Sequence, residues 1–335
     1  MNKKSKIAIG IIGLIGLCSG ILSSLVFTAP YDGKEPVSIF IDNDDDVDSV
    51  RTKLLQANVS TTAFKLLGKV RLYKPRTGKY VITNDMTGWT LFRKLRNGQQ
   101  DPVNMTVPSV RTLDRFAGIV SRNIMLDSLT ILNALSDAEF ISKYGHDEQS
   151  LPALFIPETY QVFWNITMDK LMDRLVKENQ KFWNDERMKK AEALHMTPVE
   201  VTTLASIVDE ETANNAEKPM VAELYLNRLE KGMPLQADPT IKKALGDWGL
   251  RRILFEHLKV ESPYNTYLHT GLPPGPIRVP SIAGIDAVLN HASHDYIYMC
   301  AKEDFSGTHN FAVSYAEHLQ NAKRYTNALN ARGIK

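Results

Sequence analysis

Apolar residues run without a charge from Ile7 to Ala29, and after that the chain breaks into short alternating and helical periods. The first run covers 23 residues, enough as a helix to cross a hydrocarbon core of about 30 Å, and it predicts a membrane span. Lys3, Lys4 and Lys6 stand only before it and Asp32 follows it. The positive-inside rule then places the N-terminus in the cytoplasm and all that follows outside. A cleaved signal peptide would have a shorter apolar region, about 7 to 15 residues, and a small-residue cleavage site, which is not clear here. Leu17 stands where a lipoprotein site at Cys18 needs a small residue, and Gly16 and Gly20 make a GxxxG pattern suited to close helix packing. Gly10, Gly13 and Gly16 lack the G-x-G-x-x-G spacing of a dinucleotide-binding turn.

Past a linker from Pro30 to Pro36, Val37 to Ile41 alternates as a strand does, and Val47 to Leu55 and Thr61 to Leu67 read as short helices. Lys79 to Thr83 is a second strand, and Thr87 caps a helix through Trp89, Leu91, Phe92 and Leu95 that ends at Asn97 and Gly98. The acidic run Asp42, Asp44, Asp45, Asp46 and Asp48 superficially resembles a calcium loop. Val47 sits where that loop needs Gly and Lys53 where it needs a bidentate Glu, so a solvated turn is expected. From Thr112 the periodicity becomes mainly helical, with helices over Thr112 to Asn123, Ser128 to Ser136 and Lys170 to Trp183. Between the last two, Pro157 in LPALFIPETYQVFW breaks any helix and the aromatic density predicts a packed loop or groove wall. The expected fold is α+β: one transmembrane helix, a small α/β module, and a larger, mainly helical domain with some β structure. Its divisions are 1–6, 7–29, 30–107 and 108–335.

Composition narrows the function classes. With 43% hydrophobic residues in 335, the chain can bury real cores, and two cysteines cannot staple a miniprotein. With Cys18 inside the expected span and Cys300 outside, no intramolecular disulfide is expected. The formal charge of +2 is carried by the three N-terminal lysines, and the rest of the chain sits near −1. A chain so balanced offers no electrostatic footprint for nucleic acid. His291, His294 and Asp295 lack a convincing third metal ligand, Cys300 lies in a strand-like apolar run, and neither G-x-S-x-G nor a P-loop occurs.

Chemistry concentrates after Thr197. Thr197, Pro198 and Glu200 form an N-cap, a first-turn proline and a capping-box acid, which start a helix with an apolar face of Val201, Leu204, Ala205 and Val208. At 100° per residue Glu210 falls opposite that face and is expected in solvent, Asp209 and Glu211 fall on its flanks, and Thr212 returns to its centre. A carboxylate at the edge of a buried helix loses hydration and acquires the raised pKa that a general acid needs. Periodicity leaves Asp209 and Glu211 equally eligible. Pro219 then opens a helix with Ala222, Tyr225, Leu226 and Leu229 on one face, Gly232 closes it, and Gln236, Asp238 and Thr240 follow in an expected loop.

Four blocks carry a resemblance: ASIVDEET (Ala205 to Thr212), LNRLEKGMPLQADPTI (Leu226 to Ile241), YNTY (Tyr264 to Tyr267) and GLPPGPI (Gly271 to Ile277). In this order they resemble the endolytic murein transglycosylases of the MltG/YceG-like family. The likeness extends to the N-terminal anchor, the small module, which is LysM-like, the PETY segment (Pro157 to Tyr160) and HNF (His309 to Phe311). The resemblance implies that the catalytic acid is the glutamate directly before Thr, here Glu211. The family often has Glu at the place of Asp209 and a basic residue at that of Glu210, so neither departure touches the catalytic position. Glu217, Asn227, Gln236, Asp238, Thr240, Tyr264, Asn265 and Tyr267 become candidates for holding the substrate, with His309 as a further cleft residue. The plainer reading of Asp238 and Asn265 is turn capping, that of the tyrosines packing, and that of Pro273, Pro274 and Pro276 a fixed loop wall.

The implied reaction cleaves the β-1,4 bond between N-acetylmuramic acid (MurNAc) and N-acetylglucosamine (GlcNAc) inside peptidoglycan strands. One glutamate donates a proton to the glycosidic oxygen, then accepts one from the muramoyl C6 hydroxyl as that oxygen closes on C1. The product is a 1,6-anhydro end formed without water, and no metal or cofactor is needed. The implied partners are nascent glycan strands and penicillin-binding glycan polymerases at the inner membrane. Two competing functions are a muramidase-type hydrolase, with Asp209, Glu217 or Asp238 as second carboxylate, and a non-catalytic glycan-binding spacer.

Overall fold

The computed structural model describes residues 3–332, without the side chains of residues 3–8, 10, 15, 18 and 22. The chain divides into two units, one comprising Met1–Met105 with Asn123–Met125 and Gln161–Ile166, the other the remainder. Helix α1 covers Lys3–Phe27. Met1 and Asn2 of the tail expected at 1–6 fall outside the described residues; α1 covers most of the span expected at 7–29, but among the described residues no helix is long and apolar enough to cross a membrane.

The first unit continues with β1 (Val37–Ile41), α2 (Val47–Gln56), α3 (Thr62–Arg71), β2 (Gly78–Ile82), α4 (Gly88–Asn97) and β3 (Pro102–Thr106). Strands β1 and β2 are antiparallel, with Ile39 opposite Tyr80 and Val37 opposite Ile82. Alternation buries Ile39, Ile41, Tyr80 and Ile82 on one face, where Val50 and Leu54 of α2, Phe64 of α3 and Leu91, Phe92 and Leu95 of α4 close the core. Thr87 caps α4 as its sequence requires, and Gly98 ends it in the left-handed region at φ 66°. The acidic run is a largely solvated turn, with Asp44, Asp46 and Asp48 exposed. Asp46 caps α2, while Lys53, the residue that spoils a calcium loop, binds Asp42 and Asp45. Within PETYQVFW the expected loop is in fact strand β4 (Thr159–Phe163), which forms a two-stranded sheet with β3. Short strands of this kind escape a periodicity search when aromatic residues occupy both faces.

The second unit is mainly helical: α5 (Leu113–Val120), α6 (Ser128–Leu135), α7 (Ala138–Ser142), α8 (Met168–Phe182), α9 (Asp185–Ala193), α10 (Pro198–Glu211), α11 (Lys218–Glu230), α12 (Asp238–Leu245), α13 (Ile282–Leu289) and α14 (Tyr315–Ala331). One antiparallel pair, β5 (Tyr298–Ala301) and β6 (His309–Ala312), precedes α14. Helix α10 is the axis of this unit. Val201 to Val208 are buried without interruption, so the helix has no solvent side over two turns. Its polar residues are satisfied internally: Thr202 and Thr203 donate to the carbonyls of Pro198 and Val199 at 2.7 and 2.8 Å. Ser206 donates to the Thr203 carbonyl and accepts from the Ile277 N–H at 2.9 Å, which fixes the end of the proline-rich loop against the helix. Helices α11 and α13 pack alongside, with Val221, Ala222, Leu224, Ile285 and Val288 completing the core.

Candidate active site

The last turn of α10 presents three consecutive carboxylates, and the fold treats them differently. The Asp209 side chain is 4% exposed and meets the Lys218 ammonium at 2.7 Å. The Ser281 backbone N–H and hydroxyl also donate to it. Gly284 makes this approach possible, because a Cβ there would stand 2.6 Å from Asp209 Oδ1. The Glu210 side chain is 5% exposed, not solvated as helical phase predicts. Arg111 grips it with two hydrogen bonds at 2.8 and 2.9 Å and Arg278 adds a third at 2.7 Å. The error has a physical cause: a helix buried all round has no solvent direction for phase to identify.

Among the described residues no cation stands within hydrogen-bond reach of Glu211. Its Oε1 accepts from the Tyr225 hydroxyl of α11 at 2.7 Å. Burial lifts its pKa from 4.5 to about 7; the Tyr225 hydrogen bond opposes the rise, and the negative charges of Asp238 and Glu210 add to it. Tyr225 is itself pushed well above its ordinary range, first by burial and then by the Glu211 charge, so it stays a hydrogen-bond donor. Of three adjacent acids, two are locked into ion pairs and one is left to exchange a proton near neutrality.

Glu211 opens into a cleft of about 380 Å³ that Gln236, Asp238, Tyr267 and His309 also line. Asp238 does not lie in a loop: it opens α12, with Pro239 in the first turn, and accepts from the Tyr267 hydroxyl at 2.6 Å. Gln236 sits in the left-handed region at φ 51°, a conformation that costs a residue with a side chain roughly 1 kcal/mol. Its N–H to the Thr266 carbonyl and the Arg228 guanidinium to its Oε1, both at 3.0 Å, hold it there. The second bond leaves the amide NH₂ of Gln236 free to donate.

The other candidates hold the scaffold. Glu217 is buried and accepts from the backbone N–H of His309 at 2.7 Å, with its other oxygen 3.1 Å from the ring Nδ1, which anchors the start of β6. Asn227 donates to the carbonyls of His294 and Tyr296 and ties α11 to the segment before β5. Thr240 is fully buried and bonds Thr266 at 2.8 Å. Asn265, also fully buried, donates to the carbonyls of Leu258 and Val260 and accepts from the Tyr267 N–H, so it shapes the loop that delivers Tyr267. Tyr264 packs on the core beside Lys243, with burial raising its hydroxyl to about 12. Pro273 and Pro274 are not among the cleft residues, and Pro276 lines a different cavity.

Sequence reasoning treated Tyr225 only as core and passed over Arg228, Tyr298, Tyr315 and His318, all of which line the cleft. For Tyr225 a signal was present, since a tyrosine on a buried stripe must bring its hydroxyl to a partner. His291 pairs with Glu223 and His294 sits 3.0 Å from the Met220 carbonyl, and among the described residues no cluster of three or more metal-ligating side chains forms.

The model of the YceG-like family matches residues 39–324. The chain belongs to the YceG-like family. Similar proteins support the same placement of this YceG-like chain. The endolytic murein transglycosylase of Bacillus subtilis is 26% identical over 92% of this chain and 89% of its own length. That of Streptococcus pneumoniae is 28% identical, again over 92% of this chain, which spans 61% of the longer pneumococcal protein. A crystal structure of a yceG-like protein from Listeria monocytogenes is similar with a TM-score of 0.56 at 25% identity, over 86% of this chain and 99% of that one.

Proposed function

We propose that this protein is an endolytic lytic transglycosylase that cleaves the MurNAc–GlcNAc β-1,4 bond within peptidoglycan strands, leaves a 1,6-anhydroMurNAc end and terminates nascent strands. The observation that carries the reading is Glu211: it stands before Thr212 in the family's acid motif, and its burial in an open cleft holds a proton near pH 7. Protonated, it donates to the glycosidic oxygen as the C1–O bond breaks. The resulting carboxylate takes the proton of the muramoyl C6 hydroxyl while O6 bonds to C1, so the acid is restored and no water enters.

Tyr225 positions the Glu211 carboxylate through Oε1, and Tyr267 fixes Asp238 so that its negative charge faces the developing positive charge on the sugar ring. The free amide of Gln236 is placed to donate to an acetamido carbonyl. The hydrolase alternative is reduced to one pair, because Lys218 engages Asp209 and His309 engages Glu217, which leaves Asp238 as the sole other carboxylate described in the cleft. The relatives' names favour the transglycosylase.

The first unit supports a LysM-like role, since β1, α2, α3 and β2 follow in strand, helix, helix, strand order. An inner-membrane anchor at Ile7 to Ala29, with the enzyme outside and next to glycan polymerases, rests on the uncharged run and its lysines; exposed Ile9, Ile11, Ile12, Leu14 and Leu17 on α1 agree with it. Mass spectrometry of digested peptidoglycan tests the reaction. Anhydro ends, lighter by one water than reducing ends, are expected from the native protein and absent with Glu211→Gln; reducing ends alone would establish the hydrolase.

A further inference from the structure

The cleft has two unlike walls. Glu211, Gln236 and Asp238 supply a polar wall from α10 and the start of α12, whereas Tyr298 of β5 with Tyr315 and His318 of α14 supply an aromatic one. The rings form a cluster: Tyr298 and His318 stack with centroids 5.3 Å apart and planes 26° apart, and Tyr315 lies 5.8 Å from Tyr298 and 6.0 Å from His318. Tyr315 lines the cleft yet remains 59% exposed. An apolar ring left open inside a concave site, with its neighbours already stacked, is a surface shaped for an apolar face of something else.

The polar groups behind the rings belong to the fold. Two buried polar atoms of cleft-lining residues, Nδ1 of His318 and Nε of Arg228, have no partner among the described residues. Arg228 is only 8% exposed, and its two Nη atoms are already committed to the Leu235 carbonyl and Gln236. Both atoms are closed off from solvent, so a ligand meets this wall through its ring faces and not through them. Burial and the Arg228 charge lower the pKa of His318, which keeps the wall's imidazole neutral near pH 7. An exposed ring facing the polar side chains of Gln236 and Asp238 fits a pyranose, whose C–H face is apolar and whose edge is polar.

We propose that Tyr298, Tyr315 and His318 form a saccharide subsite that holds an N-acetylhexosamine unit beside the scissile bond. The sugar's C–H face lies on Tyr315, and its polar edge faces the Gln236 and Asp238 side of the cleft. The proposal rests on the transglycosylase reading and assigns the grip on the glycan to α14, outside the four motif blocks.

The test uses the full chain with Glu211→Gln, which keeps glycan strands intact during a calorimetric titration with peptide-free strands. Adding Tyr315→Ala weakens binding about tenfold, the scale of one lost aromatic contact, and Tyr315→Phe recovers most of the loss. Leu319→Ala, on the same helix but away from the cleft, serves as control and leaves affinity unchanged. In the active enzyme Tyr315→Ala raises KM about tenfold while kcat stays within about threefold, because ring stacking is uniform binding. Tyr315→Ala binding within about twofold of the parent, or an equal loss with Leu319→Ala, overturns the subsite. Reducing ends in place of anhydro ends from the native chain overturn the transglycosylase reading itself, and show before Tyr315 is altered.

Discussion

Glu210 and Glu211 are neighbours of identical chemistry at the end of one helix, yet one is held between two arginines and the other has no cation beside it among the described residues. Glu210 is matched by two guanidinium groups, and Glu211 by a phenol that only donates a hydrogen bond. Burial is common to both. What differs is whether a positive charge accompanies the carboxylate into the interior, and without one burial favours the protonated form of Glu211.

The largest effect expected from breaking this contrast is on catalysis. Glu211→Gln keeps shape and the Tyr225 contact but cannot exchange a proton, so glycan cleavage falls about 10³-fold or more with the folded circular-dichroism spectrum unchanged; activity that persists within tenfold would contradict the role. Next is stability on the Glu210 side. Arg278→Met leaves a buried carboxylate with half its cations, so chemical denaturation should show a loss of about 3 kcal/mol. Combining it with Glu210→Gln should recover part of that loss, and no recovery would mean that the arginine acts through packing alone.

A third effect has the opposite sign. The folded-state pKa of Glu211, about 7, stands above its ordinary 4.5, so the folded state binds a proton that the unfolded chain releases between these values. Stability from this group is present at pH 4 and lost as pH rises through 7, by up to about 3 kcal/mol. Glu211→Gln should therefore be more stable than the native protein at pH 8 and equal to it at pH 4, and thermal melts that show the reverse would sink the assignment. The smallest effect concerns Tyr225→Phe. Removing the hydroxyl removes the contact that most lowers the Glu211 pKa, so the alkaline limb of the rate profile moves to higher pH; movement to lower pH would rule this out.

Much of this was legible in the chain. Thr197 and Glu200 form the capping box they spell, Thr87 and Gly98 bound α4, and Thr212 is buried at the end of α10 as its phase requires. The Glu210 environment was not legible, because its arginines come from 99 and 68 positions away and nothing local announces them. Helix α12 was missed because Ala237 precedes it without a side-chain cap, and the Asp–Pro pair that opens it reads equally well as a turn. Motif membership also did not separate contact from support. Asn265 and Thr240 sit in the blocks with Tyr267 and Asp238, but they are fully buried and serve to hold the other two in place. The aromatic wall lies outside the blocks, and only the packing of α14 against β5 brings it to Glu211.

The central claim is that one acid among three adjacent ones carries a proton near neutrality, and titration of the Glu211 side-chain carboxyl by carbon NMR tests it most directly. The account predicts a transition centred near pH 7 that disappears in Glu211→Gln. A Glu211 carboxyl that titrates in the ordinary range near 4.5 would contradict it.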